Sequence, residues 1–367
     1  MKTYKRVISV IMALALITAL LVGVTVTASA DTEERNIIRI AGSNRYDTSI
    51  LAAEALKNEM NVTKFSYVVL ASGEKYPDAL AGSYLAIKKK APILLVNDGA
   101  MKKVTDYIKA NLKSDGIVYV LGGEGAVSKK AEEALAEDFT VTRLAGSDRF
   151  ETNMEILKEA GYLGGSILVC TGTDYADSLS VSSTGMPILL VGKTLTESQK
   201  KFLKDKMYCY FHLIGGTGAV SEEVVAELLQ IAPVERVAGD NRFETSVAVA
   251  KRFFYAVNYG TPTGKWGAMV RDPETIALVY AQNFPDGLSA GPLAAAMNAP
   301  VILVQNANKA VEVASEYREL LELSTMYVMG GETLISEETA NTIFDNGTII
   351  PPTPKSTVIE LPVVPVP

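Results

Sequence analysis

The eleven residues RVAGDNRFETS, 236–246, decide the fold because the chain carries versions of them three times. RIAGSNRYDTS occupies residues 39–49, and RLAGSDRFETN occupies residues 143–153. The copies are roughly a hundred residues apart, and self-similarity at a fixed period is the signature of structural units arranged in tandem. We therefore expect three related units rather than one large domain.

Three further segments follow in the same order in every copy. The first is a helix start that contains an aspartate, at 76–86 (YPDALAGSYLA), 175–182 (YADSLSVS) and 284–294 (FPDGLSAGPLA). The second is a proline with a short aliphatic strand, at 91–97 (APILLVN), 186–192 (MPILLVG) and 299–305 (APVILVQ). The third is a strand that runs into paired glycines, at 117–128 (IVYVLGGEGAVS), 211–221 (FHLIGGTGAVS) and 326–336 (MYVMGGETLIS). These segments define repeats over residues 37–140, 141–234 and 235–345.

Strand and helix patterns alternate within each repeat. In the first, apolar runs such as NIIRIAG and KFSYVVLAS alternate with segments of helical periodicity such as DTSILAAEALKNEM. The runs are short and continuous, as in strands covered on both faces, and the alternation predicts right-handed crossovers and parallel sheets. The predicted fold class is α/β, with three tandem doubly wound parallel-sheet modules.

The first thirty residues have the pattern of a secretory signal peptide. A basic start, MKTYKR, precedes an apolar run over residues 7–26 and the small-residue site ASA at 28–30. We expect cleavage there and a secreted protein, while a retained membrane anchor is the alternative because the run is near spanning length. After residue 345 we expect only an extended Pro-rich tail, 346–367, and no effector domain.

Composition argues against two classes of function. Hydrophobic residues make up 48% of the chain and charged residues 21%, and the formal net charge of −7 lacks the basic footprint of a general nucleic-acid binder. One histidine, His212, and two cysteines, Cys170 and Cys209, argue against a zinc site, and we expect no metal and no cofactor. We expect His212 to be packed in a strand. Both cysteines should be buried free thiols at opposite ends of one parallel sheet.

Three sets of polar residues and glycines should meet at the carboxyl edge of the sheets, where ligands collect in parallel α/β folds. They are the motif arginines Arg45, Arg149 and Arg242, the helix-start aspartates Asp78, Asp177 and Asp286, and the glycine pairs Gly122–Gly123, Gly215–Gly216 and Gly330–Gly331. Arginine and exposed backbone N–H groups favour a phosphate or a carboxylate, so one interpretation is an anion site in each repeat. The alternative is structural: the arginine and aspartate tie two loops or two copies together, or the aspartate only caps its helix.

Catalysis by paired carboxylates is the other chemistry that these residues allow. Each copy has an acid after the arginine, at Asp47, Glu151 and Glu244, besides its helix-start aspartate, and two carboxylates suit glycoside hydrolysis. However, no copy carries a special group that the others lack, and the sequence offers no histidine base. Three equivalent weak sites favour binding by avidity over turnover.

The four ordered motifs together resemble the cell wall binding repeat 2 family of Gram-positive, especially clostridial, surface proteins. The resemblance spans about residues 37–345. It implies three modules arranged as an intramolecular pseudo-threefold trimer. It also implies non-covalent anchoring to an anionic secondary wall polymer at the cell surface, with surface-layer proteins as further partners. Two other roles stay open: a structural or adhesive component of a surface layer, and a wall hydrolase or amidase.

The resemblance also implies a role for the Pro-Ile-Leu-Leu segments, which this family associates with polymer binding. They correspond here to Pro92–Leu95, Pro187–Leu190 and Pro300–Leu303, the last with PVIL in place of PILL. We expect their leucines to lie in a buried strand and to shape a site through packing rather than to contact the polymer.

Overall fold

The computed structural model describes residues 36–204, 206–254 and 273–345, and the backbone of 357–358. The predicted signal peptide and most of the predicted Pro-rich tail lie outside these residues. The strands are β1 (Asn36–Ile40), β2 (Phe65–Ser72), β3 (Ile93–Val96), β4 (Leu112–Leu121), β5 (Thr140–Leu144), β6 (Ile167–Thr171), β7 (Ile188–Val191), β8 (Phe211–Ile214), β9 (Val234–Val237), β10 (Thr275–Tyr280), β11 (Val301–Val304), β12 (Thr325–Met329) and β13 (Thr357–Val358).

Helices separate these strands along the chain. They are α1 (Arg45–Glu59), α2 (Tyr76–Lys89), α3 (Met101–Asn111), α4 (Lys129–Ala136), α5 (Arg149–Glu159), α6 (Ala176–Ser180), α7 (Glu197–Lys204), α8 (Glu222–Leu229), α9 (Arg242–Phe253), α10 (Ala290–Ala296), α11 (Asn308–Arg318) and α12 (Glu337–Phe344). A 3-10 turn, Asp286–Ser289, leads into α10. The strand–helix alternation predicted from the sequence is confirmed.

The strands form three parallel sheets, one for each repeat. Their orders are β3-β2-β4-β5, β7-β6-β8-β9 and β11-β10-β12-β1-β13. Every strand pairing within them is parallel. The predicted α/β class with three parallel-sheet modules is therefore confirmed.

The sheets do not coincide with the sequence repeats. The first strand of each repeat joins the sheet of the preceding repeat: β5 pairs with β4, and β9 pairs with β8. Strand β1 in turn pairs with β12 of the third repeat along its whole length, from Asn36↔Thr325 to Ile40↔Met329. The described chain therefore forms a closed ring of strand exchanges, and each of the first two sheets runs one strand past its predicted repeat boundary.

Three aromatic side chains mark the centre of this ring. Tyr76, Tyr175 and Phe284 occupy the same position in their repeats, two residues before the helix-start aspartate. Their ring centroids are 5.8, 5.4 and 5.6 Å apart, so they form a nearly equilateral triangle. Equal spacing of equivalent residues is what a pseudo-threefold axis through the triangle requires, and this confirms the predicted trimeric arrangement.

The Pro-Ile-Leu-Leu segments lie in the edge strands β3, β7 and β11, and their side chains are buried. Each strand is held by a polar side chain of a helix in its own repeat. Leu95 N–H donates to Ser49 Oγ at 3.1 Å, and Leu190 N–H donates to Asn153 Oδ1 at 2.9 Å. The expectation that these leucines are packed in a strand interior is confirmed.

His212 lies in β8 and is 4% exposed, with Nδ1 2.8 Å from Glu235 Oε2, so the predicted packing of this histidine is confirmed. Both cysteines are free, and Cys170 is buried in β6. The expected burial of Cys209 is wrong, because this residue is exposed in the connection before β8 rather than inside the strand.

Candidate functional site

The motif arginines begin the helices α1, α5 and α9. The residue before each arginine is extended, and its side chain accepts two backbone N–H groups of the first turn, as Asn44 does from Tyr46 and Asp47. This is the N-cap arrangement that fixes a helix start. The arginine is thereby placed at a defined point on the carboxyl edge of the sheet.

Each of these arginines reaches the loop after the second strand of its own repeat. Arg45 Nη1 donates to the Gly73 carbonyl at 2.5 Å, and Arg149 Nη1 donates to the Gly172 carbonyl at 2.5 Å. Arg242 Nη1 donates in the same way to the carbonyl of Ala281 at 2.7 Å. One N–H of each guanidinium thus holds a loop. This agrees with the structural alternative, in which the arginine ties two loops together.

The helix-start aspartates lie against the first glycine of the pair in their own repeat. A Cβ on Gly122 would lie 2.3 Å from Asp78 Oδ2. At Gly215 the corresponding distance to Asp177 Oδ2 is 2.1 Å, and φ is positive at both glycines, +87° and +96°. These glycines are required by the approach of the carboxylate and by the left-handed backbone.

The second glycines face open space. A Cβ on Gly123, Gly216 or Gly331 would meet no described atom within 4 Å. Gly123 and Gly216 are exposed, and Gly331 is half-buried. Their backbone is therefore accessible to a ligand, as the predicted anion site needs.

The predicted residues do converge, but across repeats. Each aspartate interacts electrostatically with the arginine of the next repeat, Asp78 with Arg149 and Asp177 with Arg242. Asp286 of the third repeat interacts with Arg45 of the first, which closes the cycle. We call these three places the first (Asp78 and Arg149), second (Asp177 and Arg242) and third (Asp286 and Arg45) junctions.

The third junction opens into a pocket of about 260 Å³. Residues of two repeats line it: Gly42, Ser43, Asn44 and Arg45 of the first repeat, and Tyr280, Asn283, Pro285, Asp286, Gly287, Gly331, Thr333 and Leu334 of the third. A site at this edge therefore belongs to a pair of repeats rather than to one repeat.

A second set of arginines, not singled out as site residues from the sequence, builds the same junctions. Arg39 Nη1 donates to the Gly330 carbonyl at 2.9 Å, and Arg143 Nη1 donates to the Gly122 carbonyl at 2.7 Å. Arg236 Nη1 reaches the Gly215 carbonyl at 2.9 Å. Each of these arginines lies in a strand that joins the preceding repeat's sheet. Its hydrogen bond therefore holds the glycine turn of that preceding repeat to the exchanged strand. The signal was present in the sequence as the first residue of the Arg-x-Ala-Gly motif.

Burial dominates the electrostatics of the junction aspartates. It raises the pKa of Asp78 against the opposing charges of Arg149 and Lys75, and it raises the pKa of Asp286 against a hydrogen bond from Thr48 and the charge of Arg45. At Asp177, burial and the neighbouring carboxylate of Asp174 raise the pKa to about 6. These carboxyl groups are therefore easier to protonate than ordinary aspartates.

We expect Asp177→Asn to remove part of the fall in unfolding free energy that the wild type shows between about pH 4 and pH 6. A raised folded-state pKa means that protonated Asp177 stabilises the fold below its unfolded pKa, 3.8, and that this contribution is lost as pH rises through about 6. From pH 4 to pH 7, the unfolding free energy of the wild type should therefore fall by up to about 3 kcal/mol more than that of the variant. Urea unfolding at several pH values measures this difference. Parallel curves for the two proteins would contradict the assignment.

The acids that follow the motif arginines already have polar partners. Asp47 contacts Lys103 Nζ at 2.6 Å, and Glu151 Oε2 accepts the Ser147 N–H at 3.0 Å. Glu244 Oε2 accepts the Asp240 N–H at 3.0 Å.

Within the described residues, no group of three or more His, Cys, Asp or Glu is placed to hold a metal ion. The arrangement offers guanidinium groups and open backbone at three equivalent edges, which is a binding geometry for anions.

Among the helices of the described chain, none has the length and apolar character needed to cross a membrane.

The comparison with protein families gives a match over most of the chain. The family model of cell wall binding domain 2 matches three tandem segments, residues 39–132, 143–225 and 236–340. Each match begins at the first arginine of an Arg-x-Ala-Gly motif.

Two curated proteins of Bacillus subtilis (strain 168) are similar to this chain. They are the N-acetylmuramoyl-L-alanine amidase LytC, 26% identical over 326 residues, and the amidase enhancer, 25% identical over 316 residues. The alignments cover 86% and 84% of this chain but only 59% and 40% of those proteins. The chain therefore spans little more than half of one relative and less than half of the other.

Two solved structures from Clostridium difficile share the fold. Cwp6 matches with a TM-score of 0.73 and 24% identity, covering 85% of this chain and 48% of that one. Cwp8 matches with a TM-score of 0.71 and 26% identity, covering 86% of this chain and 52% of that one. The three-sheet arrangement is thus shared with these structures.

Proposed function

This chain belongs to the cell wall binding domain 2 family, which supports association with the bacterial cell wall, and on that premise we propose that it holds an anionic wall polymer non-covalently at more than one of its junctions. The observation that carries the proposal is the recurrence of one arrangement at equivalent places of a closed ring: an aspartate against an open glycine turn, interacting electrostatically with the arginine of the next repeat. A guanidinium with free N–H groups and accessible backbone is suited to phosphate or carboxylate.

Tethered sites strengthen binding without any one of them being strong. Once one anionic group of a polymer is held, the next binds as an intramolecular event, and avidity gains on the order of a hundredfold are typical. The acidic chain does not attract an anion at long range, since its formal net charge is −7 and the predicted signal peptide contains three of its cations, Lys2, Lys5 and Arg6. Binding then depends on the local arginines and backbone donors, or on bridging cations.

We propose a binding role for these repeats rather than wall hydrolysis, because the aspartate and the arginine recur at all three junctions and the motif acids already have polar partners. Wall hydrolysis is the second candidate function because one of the relatives is an amidase, and zymography on wall fragments tests it.

We further propose that the protein is secreted to the cell surface. Assembly with a surface layer is the other role, and a pull-down from wall-depleted extracts separates it from polymer anchoring.

Co-sedimentation with cell walls purified from the producing bacterium tests the proposal. The protein should sediment with intact walls and should lose this binding when the anionic polymer is stripped from them. The triple variant Arg45→Ala, Arg149→Ala, Arg242→Ala should bind at least a hundredfold more weakly.

A second variant guards against misfolding, because the arginines also hold loops. Gly123→Asp, Gly216→Asp and Gly331→Asp place carboxylates where a side chain meets open space, so the fold should be retained while an anion is repelled. Circular dichroism and the Tm confirm folding. Undiminished binding to stripped walls would contradict the proposal.

A further inference from the structure

The charge three residues before the aspartate differs among the three junctions. The residue there is Lys75 at the first junction, Asp174 at the second and Asn283 at the third. The aspartate and the motif arginine are common to all three. Beside that common pair, the first junction therefore has an added cation, the second an added carboxylate and the third a neutral amide.

At the second junction, Asp174 is fixed beside the arginine. Its Oδ1 accepts the backbone N–H groups of Tyr175 at 2.6 Å and Ala176 at 3.2 Å, so the carboxylate is held by the backbone just before α6. Its Oδ2 is 3.6 Å from Arg242 Nη2. These two backbone bonds hold the carboxylate beside the guanidinium, where it can pair with it.

Tyr175 occupies the same guanidinium further. Arg242 Nη1 donates to the Tyr175 hydroxyl at 3.1 Å, and the guanidinium carbon lies 5.4 Å from the centre of that ring. Together with the Ala281 carbonyl, repeats two and three thus supply Arg242 with a hydroxyl, a carbonyl, an aromatic face and a carboxylate. An incoming anion would have to displace Asp174 and would meet its repulsion.

The other two junctions leave their arginines open. Among the residues that the structure describes, neither Arg45 nor Arg149 forms a salt bridge. At the first junction, Lys75 Nζ donates to the Gly125 carbonyl at 2.7 Å, so its charge is held over the glycine turn. At the third junction the position is neutral, and the pocket is open beside Arg45 and Asn283.

We propose that the first and third junctions take the anionic groups of the ligand and that Asp174 keeps the second junction closed to them. This inference rests on the proposed function, and it names the position of Lys75, Asp174 and Asn283 as the determinant of anion affinity at each junction. The ring then has two working sites rather than three, and a polymer bridges from one to the other past the closed junction.

Charge changes at this one position test the proposal in the full-length mature protein. Asp174→Asn keeps a side-chain oxygen that can accept the Tyr175 and Ala176 N–H groups, and it removes the competing charge. It should tighten co-sedimentation with purified walls by three- to tenfold. Asn283→Asp and Lys75→Asp copy the second junction's charge and should each weaken binding by at least tenfold. Asp115→Asn, an exposed change near the other end of the first sheet, raises the net charge by one as Asp174→Asn does, and it should have no effect.

A double-mutant cycle connects the gain to the arginine. If Asp174→Asn frees Arg242, then Arg242→Ala should cost at least fivefold more binding in the Asp174→Asn background than in the wild-type background. No gain from Asp174→Asn, or equal costs in the two backgrounds, overturns the inference while polymer binding stands. Wild-type binding that persists on stripped walls overturns the proposed function itself, so the two failures are distinguishable.

Discussion

Removal of strand β1 is expected to unfold the sheet of the third repeat and to leave the sheet of the first repeat intact. Strand β1 pairs over five residues with β12, and its Arg39 holds the Gly330 carbonyl. Its last residue, Ile40, is fully buried, and truncation of a buried isoleucine to alanine alone costs about 2–5 kcal/mol. Loss of the whole strand should therefore cost more than about 5 kcal/mol, the scale of a small domain's entire stability.

Hydrogen exchange locates this effect along the chain. A protein that starts at Asp31 is compared with one that starts at Ala41, and amide protection is followed in β12 and in β2. Protection should fall in β12 and persist in β2, because β2 pairs with β3 and β4 and has no contact in its sheet with β1. If protection is lost in β2 instead, the repeats fold as separate sequential units and the strand exchange does not govern stability.

Point variants serve as matched controls for this deletion. Ile40→Ala should lower the urea midpoint of the third repeat substantially, because it opens a cavity in a closed core. Asn36→Ala, at the exposed start of the same strand, should change stability by less than about 0.5 kcal/mol. The comparison separates the role of the strand's packing from any effect of altering the chain terminus.

The sequence was sufficient to predict the repeats, the alternation of strand and helix, and the burial of the Pro-Ile-Leu-Leu strands. These features follow from local periodicity, which is visible among residues that are close together in the sequence. Strand exchange is different in kind. The residue pattern of a strand does not say whether it pairs within its own repeat or with the one before. The pairings of β5 with β4, of β9 with β8 and of β1 with β12 reveal the rule.

The same limit explains what was predicted of the site. The residue types at the carboxyl edge follow from the motifs, but their grouping depends on which sheet each first strand joins. Arg149 therefore meets Asp78 rather than Asp177. Arg143 was not singled out because it lies inside a strand, where an arginine gives no periodic signal of its own. The error at Cys209 has a related cause: apolar letters before β8 extend the strand pattern into an exposed connection.

Substitution of the first glycine of a pair is expected to be severe, and substitution of the second to be almost silent. Gly215 has φ of +96°, and a Cβ there would lie 2.1 Å from Asp177 Oδ2 and 2.9 Å from Ala219 Cβ. The unfavourable backbone costs about 1–3 kcal/mol and the overpacking a similar amount, so Gly215→Ala should lose about 3 kcal/mol or more. Gly216→Ala should stay within about 0.5 kcal/mol, since its Cβ meets no described atom within 4 Å.

Urea unfolding of the two variants gives the comparison, and a double variant identifies the cause. Asp177→Ala removes the carboxylate that a Cβ at position 215 would strike, so it should recover that part of the Gly215→Ala loss and leave the backbone strain and the close contact with Ala219 Cβ. The expected coupling free energy is about 1–2 kcal/mol in the direction of rescue. Additive losses would mean that the carboxylate moves aside freely, and then the close approach of aspartate and glycine would not explain why this turn requires a glycine in all three repeats.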